Sequence, residues 1–86
     1  MNDIEWTTRA RRQFRRIDAA QRPRILEAVE GLTMWPDTHQ DIKSLQNREG
    51  YRLRVGRYRV LFTTHEGGEV RIIRIEEVKK RDERTY

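Results

Sequence analysis

The alternation of apolar and arginine residues in Tyr51–Phe62 is the clearest pattern in the chain. The stretch predicts two β-strands around a turn at Gly56 and Arg57, because successive side chains of a strand point to opposite faces of a sheet. Antiparallel pairing of these strands would then gather three arginines on one face, namely Arg52, Arg54 and Arg59. The alternative is an ordinary solvated outer face, since exposed strand faces are usually polar.

The N-terminal pattern predicts a strand followed by a helix. Ile4–Trp6 is the predicted strand, and Thr7 or Thr8 can cap the helix. Apolar residues recur at helical spacing and form its buried stripe: Ala10, Phe14 and Ile17. The other face carries five arginines: Arg9, Arg11, Arg12, Arg15 and Arg16. Their repulsion would destabilise an isolated helix, so packing or a partner must compensate.

A second helix is predicted to start near Ala20, with Pro23 in its first turn. It ends at Trp35, because a residue that precedes proline avoids the α conformation. The very short connection between the two helices predicts an antiparallel helical hairpin. The residues that would form the apolar face of the second helix are Ile25, Leu26, Val29 and Leu32.

The C-terminal half adds further strands. Ile42–Leu45 can form a short strand, His65–Gly68 is a turn signal, and Glu69–Val78 is the last predicted strand. The predicted fold class is therefore α+β, with an N-terminal helical hairpin packed on a small, mainly antiparallel β-sheet. We expect one sheet face to pack against the helices and the other, which carries the three arginines, to be open.

Length and composition narrow the function classes. The 86 residues are predicted to form one domain over residues 1–86, and the net charge of +5 favours nucleic acid, an acidic protein or an anionic membrane as partner. A membrane role is disfavoured, because no apolar run approaches the ~20 residues of a membrane span. The absence of cysteine, together with His39 and His65 in separate loop-like stretches, predicts no metal site and no cofactor. The composition is compatible with the cytoplasm.

The order of elements and the motifs resemble the RelE/ParE superfamily of bacterial toxins from type II toxin–antitoxin pairs. The resemblance covers nearly the whole chain, and its most specific part is the arginine hairpin. The segments that carry it are Leu32–Pro36, Lys43–Leu45, Gly50–Val60, Ile75–Arg81 and Tyr86. The resemblance implies the RelE-like microbial RNase fold.

The superfamily holds two activities. RelE-like members cut mRNA in the ribosomal A site, whereas ParE-like members poison DNA gyrase. Carried over by position, the resemblance implies a catalytic set of Arg52, Arg54, Arg59, Arg81 and Tyr86. ParE-like members generally lack that combined set, so the resemblance favours a metal-independent endoribonuclease, with the gyrase inhibitor as alternative. A third possibility is a non-toxic RNA-binding domain or a decayed toxin.

The implied chemistry matches the residue types. The 2′-hydroxyl of RNA can attack the adjacent phosphate, and arginines can stabilise the charge that develops there. Many RelE relatives have lysine where this chain has Arg52 and Arg54, and arginine stays protonated, so neither can act as a base. Tyr86 is expected to position a base or take a proton, with packing on the sheet as the alternative. For Arg81 the alternative is a solvated tail charge.

Other cations are expected to contact the RNA backbone, with a solvated basic surface as the alternative: Arg9, Arg12, Arg16, Lys43, Arg57, Lys79 and Lys80. The expected partners are a cognate antitoxin encoded by an adjacent gene, the 70S ribosome with its rRNA, and mRNA. DNA gyrase is the partner under the alternative. Codon preference and the identity of the antitoxin do not follow from the sequence.

Overall fold

A computed structural model of the protein describes residues 1–81 of the 86. Two helices and one 3-10 segment accompany five strands. In chain order the elements are β1 (Asp3–Trp6), α1 (Thr8–Arg15), α2 (Arg22–Glu30), the 3-10 segment Gly31–Met34, β2 (Ile42–Ser44), β3 (Tyr51–Val55), β4 (Tyr58–Gly67) and β5 (Val70–Lys80). The short strand predicted near Ile42 is therefore formed, one residue shorter than expected.

The five strands form one mixed sheet in the order β1-β5-β4-β3-β2. β1 runs parallel to β5, and every other neighbouring pair is antiparallel. Both helices contact the sheet, α1 at β5 and α2 at β3. The predicted α+β class, with helices on a mainly antiparallel sheet, is confirmed.

Helix α1 continues along the edge of β5 where β1 stops. β1 ends with Trp6 opposite Ile75, and Thr7 then caps the helix by accepting a hydrogen bond from the Ala10 amide at 3.0 Å. Further along, the Gln13 Oε1 atom accepts a hydrogen bond from the Val78 amide at 2.7 Å. The helix thus satisfies backbone groups of β5 that a neighbouring strand would otherwise pair.

The second helix is shorter than predicted at both ends. It begins at Arg22 rather than near Ala20, because the Gln21 amide donates to the Asp18 carbonyl at 2.8 Å and closes a turn first. After Glu30 the chain tightens into the 3-10 segment, which ends at Trp35 in an extended conformation before Pro36. The predicted stop at proline is therefore correct, but the last turn is not α-helical.

The β4–β5 hairpin is longer than predicted, because its turn is tighter. Gly67 still pairs with Val70, so the loop contains only Gly68 and Glu69. Gly68 has φ of +82°, a conformation that favours glycine and allows the tight turn. His65, which was expected in a loop, lies in β4 opposite Ile72. β4 thereby extends three residues into the predicted turn, whereas β5 begins at Val70, one residue after its predicted start, and ends at Lys80, two residues after its predicted end.

The core lies between the helices and one sheet face. Its largest fully buried side chains come from both layers: Phe62, Ile25, Leu32, Leu53, Ile73, Ile75, Val29 and Val60. Ile17 is buried although it follows the end of α1, whereas Leu26 is exposed and was wrongly assigned to the buried face of α2. No helix in the described residues combines the length and the apolar composition that a bilayer crossing requires.

Candidate functional site: a cationic sheet face

The sheet register brings the predicted arginines together on the face opposite the core. Arg54 lies directly opposite Arg59, and Arg59 lies opposite Lys79 of β5. In the next row Arg52 lies opposite Lys43 of β2. Because directly paired residues of an antiparallel sheet share a face, these five side chains form one surface, which we call the cationic face.

One carboxylate on this face contacts two of its arginines. The Asp41 carboxylate lies 3.4 Å from Arg52 Nη2 and 4.0 Å from Arg54 Nη1. The Asp41 carbonyl also accepts a hydrogen bond from the Arg54 amide at 2.9 Å, which fixes the loop before β2 beside β3. Two guanidiniums share a single carboxylate, so the cationic face keeps an excess of positive charge.

Glu77 is the feature of this site that the sequence analysis missed. It lies opposite Leu61 in the row of Arg52, and its side chain is only 4% exposed. Three cations from three segments surround its carboxylate: Arg9 Nη2 of α1 at 3.2 Å, Arg48 Nη1 of the β2–β3 loop at 3.3 Å and Lys79 Nζ of β5 at 3.1 Å. Glu77 is thus a buried anion that gathers cations at the border of the face.

The electrostatics of Glu77 favour its charged form. Burial by itself raises the pKa of the carboxyl, because desolvation disfavours the charge. Lys79, Arg9 and Arg48 outweigh that effect and hold the pKa below its ordinary value. The carboxylate is therefore ionised at neutral pH and is a weak base, which fits a residue that positions cations better than one that accepts a proton.

Arg48 was likewise not predicted as a site residue. It lies in a polar loop whose composition suggests only a turn, and its link to Glu77 spans 29 positions of the chain. The sequence did contain a weak indication that Glu77 is paired, because an acidic residue in the middle of the apolar strand β5 is unusual unless it has a partner. The partners themselves depend on tertiary packing.

The end of β5 meets the β3–β4 turn. The Arg81 amide donates a hydrogen bond to the Arg57 carbonyl at 2.6 Å, so the residue after β5 is held beside this turn. Arg81 is the last residue that the structure describes, and Tyr86 lies outside the described residues. The catalytic roles assigned to both residues stay predictions.

The predicted RNA-binding residues do not all lie on one side of the sheet. Arg9, Lys43 and Lys79 belong to the cationic face or its border, whereas Arg12 lies in α1 and Arg16 is the C-cap residue of that helix. Lys80 is opposite Tyr58, which is opposite the buried Val55, so Lys80 belongs to the helix side of the sheet. Lys79 and Lys80 therefore lie on opposite sides of the sheet, since neighbours in a strand face opposite ways.

The arrangement is suited to binding a phosphodiester. Guanidiniums bind phosphate oxygens through charge-assisted, often bidentate hydrogen bonds, and several of them line one surface here. Within residues 1–81 no group of three or more histidines and carboxylates is placed to hold a metal ion.

Comparison with known proteins gives the family. A sequence model described as the ParE toxin of the type II toxin–antitoxin system parDE matches residues 4–81. No curated protein matches.

Solved structures share the fold. A chain of the RelBE2 toxin–antitoxin complex from Mycobacterium tuberculosis is 25% identical, with a TM-score of 0.76 over 93% of this chain and 98% of that one. A chain of the archaeal RelE–RelB complex from Pyrococcus horikoshii is 22% identical, with a TM-score of 0.74 over 95% and 97%. The YoeB/ParE toxin from Agrobacterium tumefaciens is 14% identical, with a TM-score of 0.74 over 93% and 99%.

These matches confirm the superfamily that the arginine hairpin and the order of elements resemble. The match to the family model begins at Ile4, in β1, and ends at Arg81, the residue after β5. The chain therefore belongs to the ParE toxin family of type II toxin–antitoxin systems.

Proposed function

We propose that this toxin is a ribosome-dependent endoribonuclease that cuts mRNA in the ribosomal A site. The observation that carries the proposal is the register of the cationic face, which places Arg54, Arg59 and Lys79 side by side. A row of cations across three strands is suited to an extended polyanion, and the phosphate of RNA is the anion that arginine binds best. Inhibition of translation would follow from the loss of the message.

The reaction needs no cofactor in this proposal. The 2′-hydroxyl loses its proton as its oxygen bonds to the adjacent phosphorus, the bond from phosphorus to the 5′-oxygen breaks, and the 5′-oxygen takes up a proton, which leaves a 2′,3′-cyclic phosphate and a 5′-hydroxyl end. Arg54 and Arg59 stabilise the phosphorane oxygens, and Arg81 lies near the leaving 5′-oxygen or the phosphate. Tyr86 positions a base or accepts the 2′-hydroxyl proton. Glu77 acts as a positioning residue for Arg9, Arg48 and Lys79.

A cognate antitoxin is the protein partner that the family implies. Two of the structural neighbours are chains of toxin–antitoxin complexes of the RelE–RelB type. We propose that acidic or amphipathic residues of an antitoxin cover the cationic face and so prevent RNA from binding. The toxin would act in the cytoplasm, where ribosomes translate.

A second candidate is a DNA gyrase inhibitor without nuclease activity. The family match itself favours this alternative, because the matching family model is described as the ParE toxin. Under this alternative the cationic face would contact gyrase or its DNA rather than a scissile phosphate.

The dependence on ribosomes tests the leading proposal. We expect efficient cleavage of a message under translation and poor cleavage of the same RNA when it is free, because one small sheet face makes few contacts and cannot order the substrate alone. Binding to ribosomes should weaken steeply with salt through counterion release. The measurement is primer extension on the message with and without ribosomes. Equally fast cleavage of free RNA would show that the ribosome is not needed to order the substrate.

A further inference from the structure

We propose that a second cationic site, on the helix side of the sheet, binds a phosphate of the RNA strand that leaves the cationic face. The site is a cleft of about 380 Å³ between the β3–β4 turn and the connection from α1 to α2. We call it the turn cleft, and its cations are Arg24 of α2, Arg57 of the turn and Lys80 of β5. The inference rests on the proposed function in taking the polyanion to be RNA.

The turn cleft carries three cations against one carboxylate, Asp18. Arg24, Arg57 and Lys80 form no ion pair within residues 1–81, whereas the cationic face has Asp41 and its border has Glu77. Asp18 also lines the cleft, but its Oδ1 atom accepts a hydrogen bond from the Ala20 amide at 3.4 Å and pairs with no cation there. Three cations from three segments therefore meet around space that an anion can fill.

One of these cations lies close to the β3–β4 turn. Gly56 has φ of +58°, and a Cβ atom at this position would lie 3.0 Å from Arg24 Nη1. The guanidinium therefore lies against the backbone of the turn, where a side chain on residue 56 would displace it.

The route of the chain connects the turn cleft to the cationic face. Arg54 and Arg59 are the last paired arginines before the turn, and Arg57 lies within that turn. The Arg81 amide binds the Arg57 carbonyl at the same point. An extended polyanion that crosses the cationic face at Arg54 and Arg59 can thus continue around the turn to Arg24 and Lys80. This continuity favours a nucleic acid strand over an isolated small anion.

The test is the salt dependence of binding to a single-stranded 2′-O-methyl RNA oligonucleotide, which the proposed reaction cannot cleave. For single-stranded nucleic acid each phosphate contact contributes about 0.7 to the slope of log K against log salt. Arg24→Gln and Lys80→Gln are each expected to reduce the slope by about 0.7. Arg11→Gln, which removes the same charge from an exposed position of α1 outside the cleft, should leave the slope at the wild-type value.

The outcomes separate this inference from the proposed function. If wild type binds the oligonucleotide and both cleft variants keep its slope, the turn cleft does not bind RNA and the inference is wrong. If the variants keep that slope but bind the antitoxin more weakly, the cleft contacts an acidic protein, which also overturns it. If wild type binds ribosomes but not the oligonucleotide, the turn cleft does not add an RNA contact of its own and the inference is wrong. If wild type binds neither, the proposed function itself fails. Circular dichroism confirms that each variant is folded.

Discussion

Replacing Arg59 with alanine is expected to slow the cleavage of a translated message about a hundredfold. Arg59 lies between Arg54 and Lys79 on the cationic face, where we place the scissile phosphate. A charged contact used mainly in the transition state is typically worth ~3 kcal/mol, which corresponds to about a hundredfold in rate. Ribosome binding should change much less, because many other cations contribute to affinity. The same result is expected for Arg81→Ala.

The measurement separates chemistry from affinity. Single-turnover cleavage is followed by primer extension at saturating toxin, and ribosome binding is measured by co-sedimentation. Arg11→Ala is the matched control, since it removes an exposed arginine of α1 and should leave the cleavage rate close to that of wild type. If Arg59→Ala loses binding and cleavage equally, Arg59 provides general electrostatic affinity only. The variant should fold, because the side chain lies on the face opposite the core.

Replacing Glu77 with alanine is expected to lower the free energy of unfolding by about 2 kcal/mol at pH 7. Removing one partner of a buried ion pair typically costs ~3–5 kcal/mol, because it leaves the other charge uncompensated. The three cations around Glu77 are between 51% and 69% exposed, so water partly compensates them and we expect less than that range. Glu76→Ala is the matched control, with an expected change of ~0.5 kcal/mol or less.

The pH dependence of the same variant has a definite sign. The pKa of Glu77 is lower in the folded protein than its ordinary value of 4.5, so its stabilisation is fully present above that value. The contribution is lost as the pH falls through the folded-state pKa. Urea unfolding at neutral and at acidic pH should therefore show a difference between wild type and Glu77→Ala that shrinks in acid. A difference that stays constant with pH would contradict this account of Glu77.

The cationic face could be predicted from the sequence because it depends on a local rule. Period-2 alternation around a two-residue turn fixes both the register and the shared face, and Arg54 does lie opposite Arg59. The same rule, applied to β5, places Lys79 and Lys80 on opposite faces of the sheet. Turn geometry was less predictable: the tight loop at Gly68 lengthened β4 and placed His65 in the strand.

Glu77, Arg48 and Arg24 could not be assigned in this way, because their environment comes from distant segments. The burial of Glu77 depends on α1 and the β2–β3 loop, which approach β5 only in the folded chain. Arg24 reaches the cleft because α2 passes beside the β3–β4 turn. Charge alone marks such residues as ordinary surface cations until the packing is known.

The most direct test of the proposed nuclease is to assay one preparation of the wild-type toxin against both candidate targets. The toxin is added to a translating ribosome system, and the message is examined by primer extension and by analysis of its new 3′ ends. In parallel, it is added to purified DNA gyrase in a supercoiling assay. We predict cleavage within the A-site codon, a 2′,3′-cyclic phosphate at the new end and unimpaired supercoiling. An intact message together with blocked supercoiling would contradict the nuclease and support the gyrase inhibitor.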